Sequence, residues 1–205
     1  MQIDLYELFS NTLNTSYIQL AENSASYMTT VVGDRLYLYF EKSNGATDWK
    51  NNLDFPAKPY NEMQGTWFVH RGFLRVFKTI KPYIAPYVAD TNIKSIVISG
   101  YSHGAALALL AHEYCVFNRP DIKNSIMGYG FGCPRVVWGT ISAKLQARFN
   151  NFTVVRNCRD IVTHLPPILF GFHHVGKMLH IGKNANYNGI DSHRADNYLS
   201  SLRLL

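Results

Sequence analysis

Gly100-Tyr101-Ser102-His103-Gly104 holds a serine between two glycines at G-x-S-x-G spacing. Where such a turn joins a strand to a helix, it lifts the serine hydroxyl above the sheet and lets backbone pass close to backbone. The helix N-terminus behind it offers unpaired N–H groups and partial positive charge to a developing anion. The chemistry suggested is nucleophilic attack by Ser102. A serine hydroxyl is a poor nucleophile without a base, and an imidazole base needs a carboxylate to hold its tautomer. On this turn type the partners follow in the order acid, then histidine.

Asp160 is the candidate acid because it lies just past the strand-like run FTVVRNC. Asp121 precedes a strand and points to the other end of the sheet, while Asp191 and Asp196 read as helix-start residues. His193, in Asp191-Ser192-His193 before the last helix, is the candidate base, with His174 the next alternative. His173 reads as a loop residue and His180 as a strand residue. His173 and His174 have no partner carboxylate or cysteine at metal-ligand spacing, so no metal site is expected.

The surrounding pattern can position these groups. Lys94–Ser99 is a β-branched apolar run, and residues 104–117 are strong helix formers. Strand-like runs at 125–130 and 152–155 follow, with a helix expected over 139–148 between them. A weaker strand at 177–182 and a helix from about residue 193 end the pattern. Strands alternating with helices imply parallel strands joined by right-handed crossovers, with chemistry beyond their carboxyl ends. Upstream, Leu5, Leu8, Phe9 and Leu13 are at helical spacing behind Asp4, a natural cap. SYMTTVV and RLYLYF, joined by Gly33-Asp34, read as a hairpin. FLRVFKTI reads as a helix that Pro82 and Pro86 should end or kink. The fold class expected is α/β.

Composition narrows the class further. The 205 residues are 47% hydrophobic and 17% charged, which excludes a disordered or low-complexity chain. The net charge of +6 comes from scattered basic residues, so no nucleic-acid arm is expected; the excess charge reads as solubility, with docking on an anionic lipid surface as the alternative. No apolar run approaches the ~18 residues of a membrane span. Asp4 and Glu7 stand where an export signal would be basic. Three cysteines, Cys115, Cys133 and Cys158, suit a reducing compartment. The expected location is cytoplasmic, with a secreted form lacking its signal as the alternative.

With these motifs in order, residues from about 30 to 200 resemble the class 3 (fungal-type) lipases, a branch of the α/β-hydrolase fold. GYSHGAALA is similar to that family's nucleophile segment, and Phe131-Gly132-Cys133-Pro134-Arg135-Val136 to its F-G-x-P-R-V. Arg156–Pro167 is similar to N-x-x-D-x-V-x-x-L-P-P, and His174-Val175-Gly176 to H-V-G. Asp191-Ser192-His193 with Tyr198 is similar to the closing D-x-H…Y. The resemblance implies one domain over 1–205, with a mostly parallel central sheet, helices on both faces and an N-terminal antiparallel hairpin. It further implies a cofactor-free serine esterase acting on acylglycerol-like lipid esters through an acyl-enzyme. Phospholipase, thioesterase and acyltransferase chemistry are alternatives on the same triad, and a non-catalytic binding module is a more distant one.

The family's oxyanion donor in F-R-G-S/T corresponds to Ser43 in Phe40-Glu41-Lys42-Ser43, where Glu41-Lys42 replaces R-G. Its partner would be the main-chain N–H of His103. A reduced lid is implied, because only Pro56–Thr66 is available for one. The apolar run Ile168, Leu169, Phe170 and Phe172, on the reactive side, would line an acyl pocket, touch a lipid surface or simply pack in the core. The partners implied are a lipid or ester substrate and a peripheral lipid surface. No stable protein partner is implied.

Overall fold

The computed structural model describes residues 3–42, 56–60, 67–182 and 188–205. Asp4 caps α1 (Leu5–Asn14), its carboxylate accepting the Glu7 N–H at 3.0 Å. β1 (Ile18–Gln19) and β2 (Ser26–Val32) are antiparallel, and β2 turns at Gly33-Asp34 into β3 (Arg35–Phe40). Val32 faces Arg35 across that turn, the two-residue register the sequence expected.

β4 (Ala57–Tyr60) and β5 (Trp67–His70) lead into α2 (Arg71–Ala89). The alternating part then runs β6 (Ser95–Tyr101), α3 (His103–Asn118), β7 (Ile126–Phe131), β8 (Val137–Trp138), α4 (Ala143–Arg148) and β9 (Phe152–Asn157). β10 (Phe172–His173), β11 (Lys177–Ile181) and α5 (Ala195–Leu202) complete it.

The main sheet has the order β1-β2-β3-β6-β7-β9-β11 and is parallel from β3 onward. Alternation along β6 sends its side chains to two cores. Ile96 and Ile98 pack with Phe73, Phe77 and Ile80 of α2 and with the alanine-rich α3. Val97 and Tyr101 pack on the other face with Leu8 and Phe9 of α1 and Tyr198 and Leu202 of α5. The result is an α/β fold with helices on both faces of a mixed, mostly parallel sheet.

Three details differ from the sequence expectation. α2 runs unbroken through Pro82 and Pro86. Each proline removes one helical hydrogen bond, yet both lie on the exposed face, where solvent can reach the carbonyls left over. Ile80, Ile84 and Val88, buried on the opposite face, hold the helix to the core. The helix expected over 139–148 is confined to Ala143–Arg148, because Gly139 takes a positive φ of 90° and Ser142 caps the helix, its hydroxyl accepting the Leu145 N–H at 3.1 Å.

The third difference is a second, antiparallel sheet in the order β10-β8-β5-β4. Its strands span two to four residues, too few for a period to show in sequence. It takes Ala57–Tyr60 out of the segment 56–66 read as room for a lid, and residues 61–66 lie outside the described residues. Among the described residues no helix is long and apolar enough to cross a membrane.

Candidate active site

The site forms where β6, β7 and β9 end side by side. Ser102 follows β6 directly, in a left-handed conformation (φ 58°) that an L-residue adopts only under constraint. Its N–H is tied to the Phe131 carbonyl at 2.9 Å, which anchors the turn to β7. The neighbouring glycines leave no room for side chains: a Cβ on Gly100 would fall 2.1 Å from the Gly104 carbonyl oxygen. The Ser102 side chain makes no cap bond to the helix behind it. Instead its Oγ lies 2.8 Å from Nε2 of His193.

His193 ends a 3-10 turn, Asp191–His193, that leads into α5. Asn157 steadies this turn by donating from Nδ2 to the Ser192 carbonyl at 3.1 Å. The other ring nitrogen, Nδ1, lies 2.9 Å from Oδ2 of Asp160 and 3.0 Å from Oδ1. Asp160 is fully buried just beyond β9. It also accepts the Tyr198 hydroxyl at 2.6 Å and the Val162 N–H at 2.9 Å. These contacts orient an otherwise costly buried carboxylate toward the imidazole. Burial and the Asp160 charge push the Tyr198 hydroxyl well above its ordinary value, so it stays a donor.

Ser102, Asp160 and His193 are thus brought into one hydrogen-bonded line, while the other candidates are held elsewhere. His174 points Nε2 at the Thr163 carbonyl, 2.7 Å away, and burial lowers its pKa to about 4. His173 lies in β10 and His180 is exposed on β11. Asp121 pairs with Arg119 ahead of β7, Asp191 accepts from Asn188, and Asp196 is exposed in the first turn of α5.

His103 opens α3, where main-chain N–H groups lack intrahelical partners. Its imidazole is buried, and burial with His70 nearby lowers its pKa to about 4, so the ring is neutral. Ser43, the other expected oxyanion donor, lies outside the described residues. Among the described residues, no group of three or more His, Cys, Asp or Glu side chains converges to hold a metal.

The apolar run divides in two. Ile168, Leu169 and Phe170 are 55%, 92% and 58% exposed on a short 3-10 turn. Phe172 is not displayed with them: across Gly171 it enters β10 and is buried, its ring centroid 5.7 Å from that of His70. In β10 it pairs with Trp138 of β8.

Sequence reasoning missed three contributors. Tyr198 was legible only as the last letter of a motif, with no role attached. Gly132 needs its bare Cα, because a Cβ there would lie 2.8 Å from Cε1 of His193 and 2.9 Å from Oδ2 of Asp160. Tyr101 occupies a variable position of its motif, so no signal marked it.

Residues 37–170 match the family described as Lipase (class 3). The chain is 29% identical over 155 residues to a lipase of Rhizomucor miehei, covering 73% of this chain and 42% of that protein. It is 27% identical over 146 residues to a lipase of Rhizopus niveus, covering 69% and 37%. The chain therefore spans about two fifths of the length of these relatives. A fungal lipase in complex with an inhibitor shares the fold with a TM-score of 0.72 at 20% identity, over 87% of this chain and 78% of that one. A triacylglycerol lipase whose catalytic centre is described as a serine protease triad aligns with a TM-score of 0.71 at 24% identity, over 83% and 66%. With the family match spanning most of the chain, this protein belongs to the class 3 lipases.

Proposed function

We propose that this chain, as a single α/β-hydrolase domain over residues 1–205, hydrolyses carboxylic esters of acylglycerol-like lipids through an acyl-enzyme. The observation that carries the reading is the unbroken line Ser102–His193–Asp160, with links of 2.8 and 2.9 Å between groups far apart in sequence. Ser102 Oγ attacks the acyl carbonyl while His193 Nε2 takes its proton. Asp160 holds Nδ1–H and supports the imidazolium that forms. The main-chain N–H groups of His103 and Ser43 receive the tetrahedral oxyanion. The alcohol leaves with the proton from His193, and water then repeats the attack on the acyl-enzyme, releasing the acid and restoring Ser102.

The test is labelling of the folded protein with a fluorophosphonate, with and without lipid micelles, followed by mapping of the modified peptide. Modification at Ser102 is expected. Folded protein left unlabelled in both conditions would reverse the reading in favour of a binding module. Esters, phospholipids and thioesters offered in parallel would separate the acyl-transfer alternatives.

The exposed apolar turn supports contact with a lipid surface at this same site. Ile168, Leu169 and Phe170 are presented firmly, because Trp138 Nε1 donates to the Phe170 carbonyl at 2.9 Å and the Gly139 N–H to the Gly171 carbonyl at 2.8 Å. Ile161 and Ile190, 46% and 75% exposed, extend the apolar rim beside Asp160 and the His193 turn. Burying one leucine contributes about 1.5–3 kcal/mol, so Leu169→Asp should weaken binding to lipid vesicles about tenfold or more. Turnover of an emulsified long-chain ester should fall further than that of a soluble short-chain ester. Equal vesicle binding by variant and parent in a flotation assay would remove this turn from the interface.

A further inference from the structure

Tyr101 is the last residue of β6, directly before the proposed nucleophile, and is buried on the α1–α5 side of the sheet. The Phe9 ring meets it edge-on at 5.3 Å and the Tyr198 ring at 5.8 Å, so its plane is fixed by packing. Its face is turned to His193: the ring centroids are 5.1 Å apart and the planes only 26° from parallel. The Tyr101 hydroxyl also donates a hydrogen bond to the main-chain carbonyl of His193. Burial, reinforced by Asp160, pushes that hydroxyl up and keeps it protonated as a donor. The proposed base is therefore gripped at both its ring and its backbone by the residue preceding the nucleophile.

An aromatic ring is negative on its faces and attracts a cation within about 6 Å of its centroid. The imidazole is neutral before attack and cationic while it holds the Ser102 proton, so a ring in this place favours the second state over the first. We propose that Tyr101 is a positioning residue for the reaction: its ring supports the imidazolium at His193 and its hydroxyl fixes the turn that carries it. This rests on the acyl-transfer reading of the triad.

The groups facing His193 from other elements are Asp160 at Nδ1, Ser102 at Nε2 and Tyr198 behind Asp160. Gly132 on the β7 side carries no charge, and the charged neighbours on its own segment are Asp191, Arg194 and Asp196. All of these remain when Tyr101 is changed.

The test is the pH dependence of kcat/KM with p-nitrophenyl butyrate for the parent, Tyr101→Phe and Tyr101→Met. Methionine fills much of the space but has no aromatic face. It should make the imidazole harder to protonate and move the acid limb to lower pH by about 0.5–1 unit, with a plateau about tenfold lower. Tyr101→Phe should leave the limb in place and lose only a few-fold, the share of the hydroxyl bond. A methionine variant with a lowered plateau and an unmoved limb would overturn the proposal, leaving Tyr101 as a spacer.

If Tyr101→Met lacks a cooperative melt, pentafluorophenylalanine at the same position keeps the ring shape and reverses the charge of its face. The same downward limb shift is then expected, and its absence is equally decisive. If the parent neither turns over esters nor takes up a fluorophosphonate, the acyl-transfer reading has failed. Titration of the His193 ring by NMR in parent and variant still reads the stacking, and identical curves would refute it.

Discussion

Ser102→Ala is expected to lower kcat/KM for ester hydrolysis by at least about 10⁴-fold and to abolish fluorophosphonate labelling, with little change in melting temperature. The activity falls because no other hydroxyl shares a hydrogen bond with His193 Nε2 in the described structure. Stability holds because the Ser102 side chain caps no helix, and the turn is held through main-chain bonds that alanine retains. The measurement is steady-state kinetics beside a thermal melt. A variant keeping a tenth of the parental rate would show that the attacking oxygen lies elsewhere.

The second large effect is expected at Asp160. Its carboxylate accepts from His193 Nδ1, the Tyr198 hydroxyl and the Val162 N–H, three donors around one buried group. Asp160→Asn keeps the shape but replaces one acceptor oxygen with an NH₂ donor. Either Tyr198 or His193 must then face a donor, or His193 must turn to the tautomer that cannot take the Ser102 proton. The expected fall in kcat is about 10³–10⁴-fold, by analogy with other triads. The mismatched buried donor adds a stability loss of about 1–3 kcal/mol. Kinetics and denaturant unfolding of the same preparation check both. A fall in kcat of less than tenfold with the stability loss present would make Asp160 a structural carboxylate only.

The two substitutions separate roles that the hydrogen-bonded line joins. In the proposed reaction Ser102 would supply the reacting atom and contribute little to folding. Asp160 would react with nothing, while three donors from the surrounding chain converge on it. Tyr198 belongs with Asp160: from α5 it is fully buried in the core shared with α1, and its hydroxyl donates to the carboxylate.

Local chemistry was readable from the chain itself. The Asp4 cap, the Gly33-Asp34 hairpin and the strand–turn–helix around Ser102 each depend on residues within a few positions of one another. Periodicity and turn chemistry express such short-range constraints directly. The order Ser102, Asp160, His193 was readable too, because parallel strands send their carboxyl ends to one edge. The helix through Pro82 and Pro86 was not, since burial of Ile80, Ile84 and Val88 against the sheet overrides the local cost.

Only the tertiary structure decided the rest. It carries the His193 ring to Ser102 and turns that of His174 to the Thr163 carbonyl. It exposed Leu169 while burying Phe172, three residues away, against the His70 ring about 100 positions upstream. It set the Tyr101 ring against His193 across 92 residues of chain. These are contacts between distant segments, fixed by how two cores pack against one sheet. No local pattern of residue types encodes the distance or the angle at which such side chains meet.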